Sequence, residues 1–314
     1  MTTTEIAPHS LLGTLLRLPG FLNQILQHPL NRGQKIATLW RYLAWHIGSR
    51  IVGHPVLYPF VNNLRIRVSA GQWGATGVVY CGLEEFEDMA FCAHLLRSED
   101  LFVDVGANYG TFSLLASGVS HAKTVAFEPN PKTLIALTDN LKLNDLLNTH
   151  VSVIPMALGD RSGTVILTDG LQGGDHILTE PSKSEWAHVE VNQSTMDEQL
   201  AGQHPALLKI DVEGYESTVI RGAGQTLKSE SLLACIIEEA GLQRRYGDSE
   251  DNLHQKMLSI GFRSYQYDPF TRELTDLDGG VNPALKNTLY IRDVGKVKER
   301  LRSAPKFSVR DHLI

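Results

Sequence analysis

The feature that most constrains this chain is an apolar run that stops at an acid and continues into a glycine-containing turn. The stretch LFVDVGANYGTFSLLAS, residues 101–117, reads as a buried strand, a turn and a helix that begins near Thr111. Similar strand segments follow in KTVAFEP, VSVIPMAL, ALLKIDVEG and LLACIIEEAG, with helices over PKTLIALTDNLKLN and YESTVIRGA and near DNLHQKMLSIGF. Near-continuous apolar strands that alternate with amphipathic helices predict an α/β fold, with a parallel sheet covered on both faces.

The flanking segments complete the predicted organisation. Residues 1–75 are expected to form a helical accessory region, with a helix over Ala37–Ile51 in which Trp40 and Trp45 are core anchors. LRIRV predicts a strand, GQWGATG a loop and EEFEDMAFCAHLL a helix, while GTVILT and HVEVNQS are candidate extra strands, and FRSYQY and NTLYIRD close the series. The α/β domain is then expected to span residues 76–295, and residues 296–314 to form a peripheral tail.

Charge and cysteine usage narrow the function classes. The 314 residues carry a net charge of −6, so no global electrostatic attraction favours nucleic acid or an anionic membrane. No CxxC pattern occurs, which disfavours a disulfide framework or a zinc site and predicts reduced, buried thiols at Cys81, Cys92 and Cys235. The balance suits an enzyme that acts on small or neutral substrates.

The leucine-rich N-terminus could be mistaken for a targeting segment. Residues 10–26 lack a basic leading region, and Arg17 and Pro19 interrupt the apolar run well below a spanning length. We expect a short amphipathic helix that packs on the body or on a partner, with contact to a membrane surface as the alternative. No transmembrane segment is expected, and a cytoplasmic location is predicted.

The acid at the end of the first core strand points to a particular ligand chemistry. In open α/β sheets, ligands lie beyond the carboxyl ends of the strands, where Gly106 and Gly110 permit a tight turn and the following helix N-terminus favours an anionic group. The loop lacks the GxGxxG spacing of a dinucleotide site, and Asp104 would repel a diphosphate. It would complement an ammonium group beside a carboxylate, as in the amino-acid end of S-adenosylmethionine. Asp104 is expected to act directly or by fixing the loop.

The second and third strands supply further candidate cofactor contacts. Glu128, which ends TVAFEP before Pro129, is placed to accept hydrogen bonds from both hydroxyls of a ribose, although it could instead mark a helix start. NAD-binding folds carry an acid at the same place, so Glu128 indicates a nucleoside without choosing the cofactor. After the third strand, Met156, Ala157 and Leu158 are expected to flank an adenine or to belong to the core.

Candidate residues for the reacting side lie farther along the chain. KIDVEG ends in Asp211 and Glu213, which could accept the proton of an acceptor alcohol, hold the loop, or provide one ligand of a divalent metal; no metal site is predicted. His176, in the long stretch before that strand, is a candidate general base, with a surface or packing role as the alternative. Tyr80, Glu84 and Glu87 could fold back over the site, or simply cap and solvate a helix. Glu238 and Glu239 end the fifth strand and could face the same crevice.

Several of these motifs together resemble the FkbM-type methyltransferases. FVDVGANYG, AFEPNP, MALGDRSG, LLKIDVEGYE and IIEEAG occur in the order and spacing of that family, over roughly residues 77–292. The resemblance implies a class I methyltransferase (Rossmann-like) fold with a seven-stranded, mostly parallel sheet, S-adenosyl-L-methionine as donor, and usually a hydroxyl acceptor on a sugar, glycan or other natural product. Family positions carry over onto Asp104, Gly106, Asn108, Gly110, Glu128, Asp211 and Glu213. Tyr109 departs from the smaller aliphatic residue expected there.

Other functions stay open on the sequence alone. An NAD-dependent oxidoreductase could use the same sheet, although the absent GxGxxG and the acid at Asp104 disfavour it. A non-catalytic nucleoside-binding protein is a second alternative, and the intact acids on three strand ends disfavour that one. Within methyltransferases, a nitrogen acceptor is also compatible with the motifs. The acceptor, the oligomeric state and the need for a metal are not given by the sequence.

Overall fold

The computed structural model describes residues 20–171, 173–180, 184–248, 250–282 and 285–314. Its helices are α1 (Lys35–Val52), α2 (Trp73–Cys81), α3 (Phe86–Leu95), α4 (Thr111–Gly118), α5 (Pro131–Leu143), α6 (Met196–Gln199), α7 (Glu216–Arg221), α8 (Glu250–Ser259) and α9 (Val294–Ser303). Residues 20–27 are also helical, and short 3-10 turns cover Pro29–Asn31, Thr226–Lys228 and Leu242–Tyr246. The segment expected to be an amphipathic helix at residues 10–26 therefore lies mainly outside the described residues.

The strands form one large sheet and three smaller ones. They are β1 (Val56–Pro59), β2 (Arg65–Val68), β3 (Leu101–Val105), β4 (Lys123–Phe127), β5 (Val151–Ile154), β6 (Ala157–Gly159), β7 (Gly163–Thr168), β8 (His188–Thr195), β9 (Leu207–Ile210), β10 (Ala234–Glu238), β11 (Arg263–Asp268), β12 (Glu273–Asp276), β13 (Asn287–Ile291), β14 (Ser308–Val309) and β15 (His312–Leu313). The large sheet has the order β12-β11-β13-β10-β9-β3-β4-β5. Strands β10, β9, β3, β4 and β5 are parallel, and β13 is antiparallel to both neighbours.

This sheet confirms the class I methyltransferase architecture and adds one strand to the predicted seven. The eighth strand, β12, pairs antiparallel with β11 across a tight turn at residues 269–272. Glu273, Thr275 and Asp276 of this strand are polar and exposed, and Leu274 is apolar and partly buried. An exposed edge strand needs no apolar run, so hydrophobic patterning does not reveal it.

The core of the sheet explains why the central strands read as continuous apolar runs. Side chains of β3 alternate between two hydrophobic clusters, with Phe102 on one face of the sheet and Val103 and Val105 on the other. All residues of β9 and β10 are buried, as expected for parallel strands covered on both faces. The three cysteines are free and buried, which confirms the expected reduced thiols.

The predicted third strand is divided in two. Residues 151–154 pair with β4 in the large sheet, whereas Ala157–Gly159 pair with β8 in a separate three-stranded sheet with β7. Pro155 lies at the break. Because proline has no N–H to donate to a neighbouring strand, the pairing with β4 ends before it. The two candidate extra strands, GTVILT and HVEVNQS, are confirmed as β7 and β8. The division carries Ala157 and Leu158 out of the large sheet and towards its carboxyl edge.

Two expectations for the N-terminal region are wrong. The last five residues of GQWGATG belong to helix α2 rather than to a loop, and Gly77 serves packing there: a Cβ at Gly77 would lie 2.1 Å from Glu84 Oε2. Trp45 is buried in helix α1, as expected, but Trp40 is 71% exposed. Only one face of α1 packs on the body, and Trp40 lies on the other. The strand predicted at LRIRV is confirmed as β2, which pairs with β1 in a hairpin.

The C-terminal residues pack against the rest of the chain rather than lying peripherally. Phe307, Val309 and Ile314 are buried in the larger hydrophobic cluster, and Arg300 of α9 forms an ion pair with Asp100. The domain boundaries at residues 75 and 295 stay predictions. No helix within the described ranges combines the length and apolar character needed to cross a membrane.

Candidate active site

A cavity of about 730 Å³ lies at the carboxyl ends of β3, β4, β9 and β10. It is lined by most of the predicted site residues: Asp104, Gly106, Asn108, Glu128, Pro129, Ala157, Leu158, His176, Asp211 and Glu213. Met156, Tyr80, Glu84, Glu87 and Glu238, which sequence reasoning offered as additional candidates, also line it. Gly110 does not line the cavity. It has a φ of +86°, and a Cβ at this position would lie 2.6 Å from Leu137 Cδ1, so Gly110 serves the turn and its packing.

Gly106 brings the two halves of the cavity into direct contact. Its φ is +79°, and a Cβ at this position would lie only 1.9 Å from the carbonyl oxygen of Asp211. The Asp211 N–H donates to the Val105 carbonyl at 3.0 Å, which holds the ends of β9 and β3 together. The glycine is therefore required both by its backbone conformation and by the closeness of the neighbouring strand.

Asp104 is the acid on which the predicted buried strand ends. Its side chain is 1% exposed, and the Ser113 hydroxyl of helix α4 donates to Oδ2 at 2.6 Å. Burial raises the pKa of Asp104 to about 6, although the hydrogen bond from Ser113 and the Lys209 ammonium act in the opposite direction. Because Asp104 binds the first turn of α4, it fixes the glycine loop from below.

Glu128 is held by backbone donors on both carboxylate oxygens. The Asn108 N–H donates to Oε2 and the Asn130 N–H to Oε1, each at 2.9 Å. Burial raises the pKa of Glu128 to about 7, and these two donors partly offset it. Each carboxylate oxygen can accept a second hydrogen bond, so the oriented group retains capacity for two ligand hydroxyls.

Asn108 has an unsatisfied atom in the same loop. Its φ is +51°, a conformation that asparagine tolerates better than most residues, and its Oδ1 is buried without a partner among the described residues. Its Nδ2 lies 3.5 Å from the Gly173 carbonyl. A buried acceptor without a donor carries a free-energy penalty that a ligand donor would remove.

A loop between β7 and β8 closes over the cavity, and Asp175 fixes it. Asp175 Oδ1 accepts hydrogen bonds from the N–H groups of Gly170 and Leu171 at 3.1 and 3.0 Å. Its Oδ2 accepts from Asn130 Nδ2 at 3.0 Å, and Asn130 also caps helix α5. One carboxylate thus ties the loop to the strand–helix junction that carries Glu128.

His176 follows Asp175 and lines the cavity. Its Nδ1 lies 3.3 Å from the Gly174 carbonyl, so donation from Nδ1–H would leave Nε2 as an acceptor. Burial and the nearby Arg245 guanidinium lower the pKa of His176. The neutral imidazole is therefore favoured near neutral pH.

A buried lysine neutralises the acid that ends β9. Lys209 Nζ lies 2.6 Å from Asp211 Oδ2 and 3.8 Å from Glu85 Oε2, and it also lies over the Phe112 ring. Burial acts to lower the pKa of Lys209, but the Asp211 and Glu85 carboxylates outweigh it and raise that pKa. Although burial opposes ionisation of Asp211, the Lys209 ammonium lowers the pKa of that carboxyl group. Asp211 is thus a paired carboxylate and a weakened base.

Glu216 shapes the loop that follows β9. Its Oε1 accepts hydrogen bonds from the N–H groups of Val212 and Gly214, both at 3.0 Å, and its Oε2 accepts from Gln243 Nε2. Between these donors, Glu213 adopts a φ of +56° and lines the cavity. Glu213 Oε1 would lie 3.9 Å from a Cβ at Gly174, so this acid faces the loop that carries His176.

The segment before the first core strand closes the remaining side. Asn287 Nδ2 donates to Glu85 Oε2 and to Asp88 Oδ2, at 2.6 and 3.0 Å, which joins this segment to β13. Tyr109, which the sequence marked as unusual, is 5% exposed and also lines the cavity. Three residues that organise the site carry no sequence prediction of a role: Lys209, Asp175 and Glu216. Their partners become neighbours only in the folded chain.

The residues present fit S-adenosylmethionine. Glu128 has acceptor capacity for ribose hydroxyls, Asn108 Oδ1 lacks a donor, and no side chain projects from Gly106 into the loop between them. Leu158 and Ala157 offer apolar surface beside them. A dinucleotide pyrophosphate would instead meet an acid-rich wall.

Comparison with known proteins gives the same assignment. A family model described as the Methyltransferase FkbM domain matches residues 104–268, more than half of the chain. Methyltransferase sdnD of Sordaria araneosa is 30% identical over 175 residues, which cover 45% of this chain and 67% of that protein. Hexuronic acid methyltransferase AglP of Haloferax volcanii is 29% identical over 159 residues, 50% of this chain and 59% of that protein.

Among solved structures, the FkbM methyltransferase of Methylobacillus flagellatus KT has a TM-score of 0.43 and 16% identity, over 89% of this chain and 60% of that one. The family match covers Asp104 at the end of β3, Glu128, the Asp211 loop, and strands β10 and β11. The chain belongs to the FkbM methyltransferase family, and its methyl donor is S-adenosyl-L-methionine.

Proposed function

We propose that this chain methylates a hydroxyl oxygen on a sugar, glycan or other natural product. The observation that carries the proposal is that one cavity joins the cofactor-side residues to a polar wall containing His176 and Glu213. A hydroxylated acceptor suits such a wall, because its hydroxyl groups can donate to carboxylates. The similarity to a hexuronic acid methyltransferase, AglP of Haloferax volcanii, supports the same substrate class.

On the cofactor side, Glu128 would orient the nucleoside through its ribose hydroxyls. Its backbone hydrogen bonds already fix the direction of both carboxylate oxygens, so little reorganisation is needed on binding. Gly106, Asn108 and Asp104 would define the loop against which the amino-acid end lies, with Pro129, Ala157 and Leu158 beside the nucleoside. When bound, S-adenosylmethionine supplies a methyl group on a sulfonium that is already activated.

On the acceptor side, the chain must align the hydroxyl and take its proton. We assign the proton to His176 Nε2, because the lowered pKa of this histidine keeps its imidazole neutral and able to accept. The acceptor oxygen forms a bond to the methyl carbon as the sulfur–carbon bond breaks, and the electron pair stays on sulfur. Glu213, which faces the same loop, would stabilise the imidazolium that results.

Asp211 has a different role from the base that its position alone suggested. Its ion pair with Lys209 at 2.6 Å lowers its pKa and weakens it as a proton acceptor. We assign it to positioning the wall beside the methyl group. The distinction predicts different pH profiles for variants of Asp211 and His176.

The proposal is tested by incubating the purified protein with S-adenosylmethionine and a panel of hexuronic acids, neutral glycosides and amino sugars. We expect a methyl ether on a hydroxylated acceptor, identified by mass spectrometry and by its resistance to mild alkali. A base-labile product would instead be a methyl ester on a carboxylate, and a product only from amino sugars would indicate nitrogen methylation. Either result would overturn the hydroxyl assignment while leaving the family assignment intact.

A further inference from the structure

Three carboxylates converge at the end of the cavity opposite the glycine loop. Oxygen atoms of Asp211, Glu213 and Glu238 all lie within 4.8 Å of one another. Around a Mg²⁺ or Mn²⁺ ion, ligand oxygens about 2.1 Å from the metal lie about 3.0 Å apart when adjacent and about 4.2 Å apart when opposite. The upper limit of the observed spacing exceeds both values, so the three side chains would draw together around such an ion.

A second observation is that one of these carboxylates has an oxygen that no donor reaches. Glu238 is 5% exposed, and its Oε2 is buried without a hydrogen-bond partner among the residues that the structure describes. Its backbone carbonyl accepts from Gln243, but this leaves the side chain unsatisfied. Leaving a buried carboxylate oxygen without a donor or cation is costly. The two side chains that converge with it, Asp211 and Glu213, are acids as well.

The cations at this end of the cavity do not balance the acids. Lys209 is paired with Asp211 and approaches Glu85, and Lys286 also lines the cavity. Against these two lysines stand the three converging carboxylates, with Glu84, Glu85 and Asp88 from the opposite wall. Like charges this close cannot all remain ionised unless a cation or a proton lies between them.

A proton and a metal ion are thus the two candidate occupants. The Asp211 and Glu238 carboxylates converge, so one proton could be shared by these two side chains. A single proton shared by Asp211 and Glu238 does not reach Glu213, whose nearest cations are Lys286 and Arg245, whereas one divalent ion contacts all three acids. The three-fold convergence therefore favours the metal.

We propose that Asp211, Glu213 and Glu238 form a binding site for a divalent cation of the Mg²⁺ or Mn²⁺ type. Asp211 would use Oδ1, because Oδ2 contacts Lys209, and water would complete the octahedral shell. Resting on the proposed function, the site would lie on the acceptor side, beside the loop of His176. An acceptor hydroxyl that replaces one of the waters would become more acidic and would be oriented toward the cofactor.

The test is direct binding of Mn²⁺ to the full chain after bound metals have been removed. Binding is monitored by the loss of the electron paramagnetic resonance signal of the free ion and by calorimetry. We expect saturable binding of one ion, and roughly tenfold or weaker affinity in the Glu238→Gln variant. Glu239→Gln is the matched control: it removes the same charge at the next residue, where Tyr290 donates to the carboxylate, and should change affinity less than about threefold.

The outcomes separate this proposal from the proposed function. If the wild type binds S-adenosylmethionine but no Mn²⁺ up to millimolar concentration, or if Glu238→Gln binds Mn²⁺ as well as the wild type, the metal site is overturned and a shared proton replaces it. Should Glu238→Gln fail to fold, the more exposed Glu213→Gln gives the same readout. Failure to methylate any hydroxyl would count against the proposed function and would leave the measured metal affinity standing.

Discussion

The two ends of the cavity treat their acids in opposite ways. On the cofactor side, Asp104 and Glu128 are satisfied by a hydroxyl and by two backbone N–H groups. On the acceptor side, Glu213 and Glu238 crowd one another and Asp211, and Glu238 keeps a buried oxygen without a donor. The acids of the first end have hydrogen-bond donors within the protein before any ligand binds. The acids of the second end would obtain their missing partner from a bound cation or proton.

The largest expected effect comes from Gly106→Ala. The added Cβ would lie 1.9 Å from a backbone oxygen of the neighbouring strand end, so the loop must move and both sides of the cavity change together. We expect calorimetry to show at least roughly 100-fold weaker S-adenosylmethionine binding, or loss of the folded protein. Gly33→Ala is the control, since Gly33 has a similar φ of +84° but open space around its would-be Cβ. Equal effects of the two substitutions would show that the close contact is unimportant.

Glu128→Gln should weaken cofactor binding without changing the opposite end of the cavity. The neutral amide keeps one acceptor oxygen but presents an NH₂ group to one of the two backbone donors. We expect roughly 30-fold weaker S-adenosylmethionine binding, about 2 kcal/mol, from the lost charged hydrogen bonds. Glu213→Gln should leave that affinity within about threefold and lower kcat roughly tenfold or more. If both variants weaken cofactor binding equally, the two ends are not independent.

The pH dependence of the free energy of unfolding should reveal the raised pKa of Glu128 at the cofactor end of the cavity. The pKa of Glu128 is raised from 4.5 to about 7, so the folded protein retains a proton that the unfolded chain releases, and its contribution to stability falls as pH rises through this interval. Between about pH 5 and 8, the free energy of unfolding of the wild type relative to Glu128→Gln should fall by about 2 kcal/mol.

Taking the difference between wild type and variant is necessary, because buried histidines act in the opposite direction. Burial lowers the pKa values of His28 and His94 to about 4, so their contribution to stability is lost as pH falls. Both histidines are present in both proteins and cancel in the difference. Urea unfolding at a series of pH values gives the measurement, and a flat difference would contradict the raised pKa of Glu128.

The smallest effect is expected for the loop that closes the cavity. Asp175→Asn would weaken the hydrogen bonds that hold Gly170, Leu171 and Asn130, and should raise KM for the acceptor several-fold with little change in S-adenosylmethionine affinity. Asp169→Asn is the control, because its partner Lys132 is 72% exposed and such ion pairs contribute little. Steady-state kinetics would contradict this view of the loop if both variants behaved alike.

The features of this molecule that could be predicted from the sequence are those that depend on short local patterns of residues. The strand–turn–helix order and the acids at Asp104, Glu128 and Asp211 follow from patterns within a few residues, and all three acids line the cavity. The helix over GQWGATG was not predicted, because Gly77 reflects contact with Glu84 rather than a turn. A glycine in the sequence can reflect either a turn of the backbone or the close approach of a neighbouring side chain, and the residue type alone does not distinguish the two.

Contacts between distant residues account for the rest of what was not predicted. Lys209 is a buried residue in an apolar strand, and only the folded chain shows that it pairs with Asp211 and faces Glu85 across 124 positions of sequence. Asp175 and Glu216 likewise act on backbone N–H groups and amide side chains, which leave no residue-type signature. Trp40 was expected to be buried because helical periodicity gives spacing but not which face meets the body.

The close approach of Gly106 to the Asp211 carbonyl has a consequence for how such enzymes diversify. The spacing between the ends of β3 and β9 is set by two main chains in contact, and therefore cannot change through side-chain substitution. The segments that carry Glu84 and His176 line other walls of the cavity and are not held by this contact. Under the proposed function, substitutions in these two segments would change the acceptor that is bound while the spacing of the two strand ends stays the same.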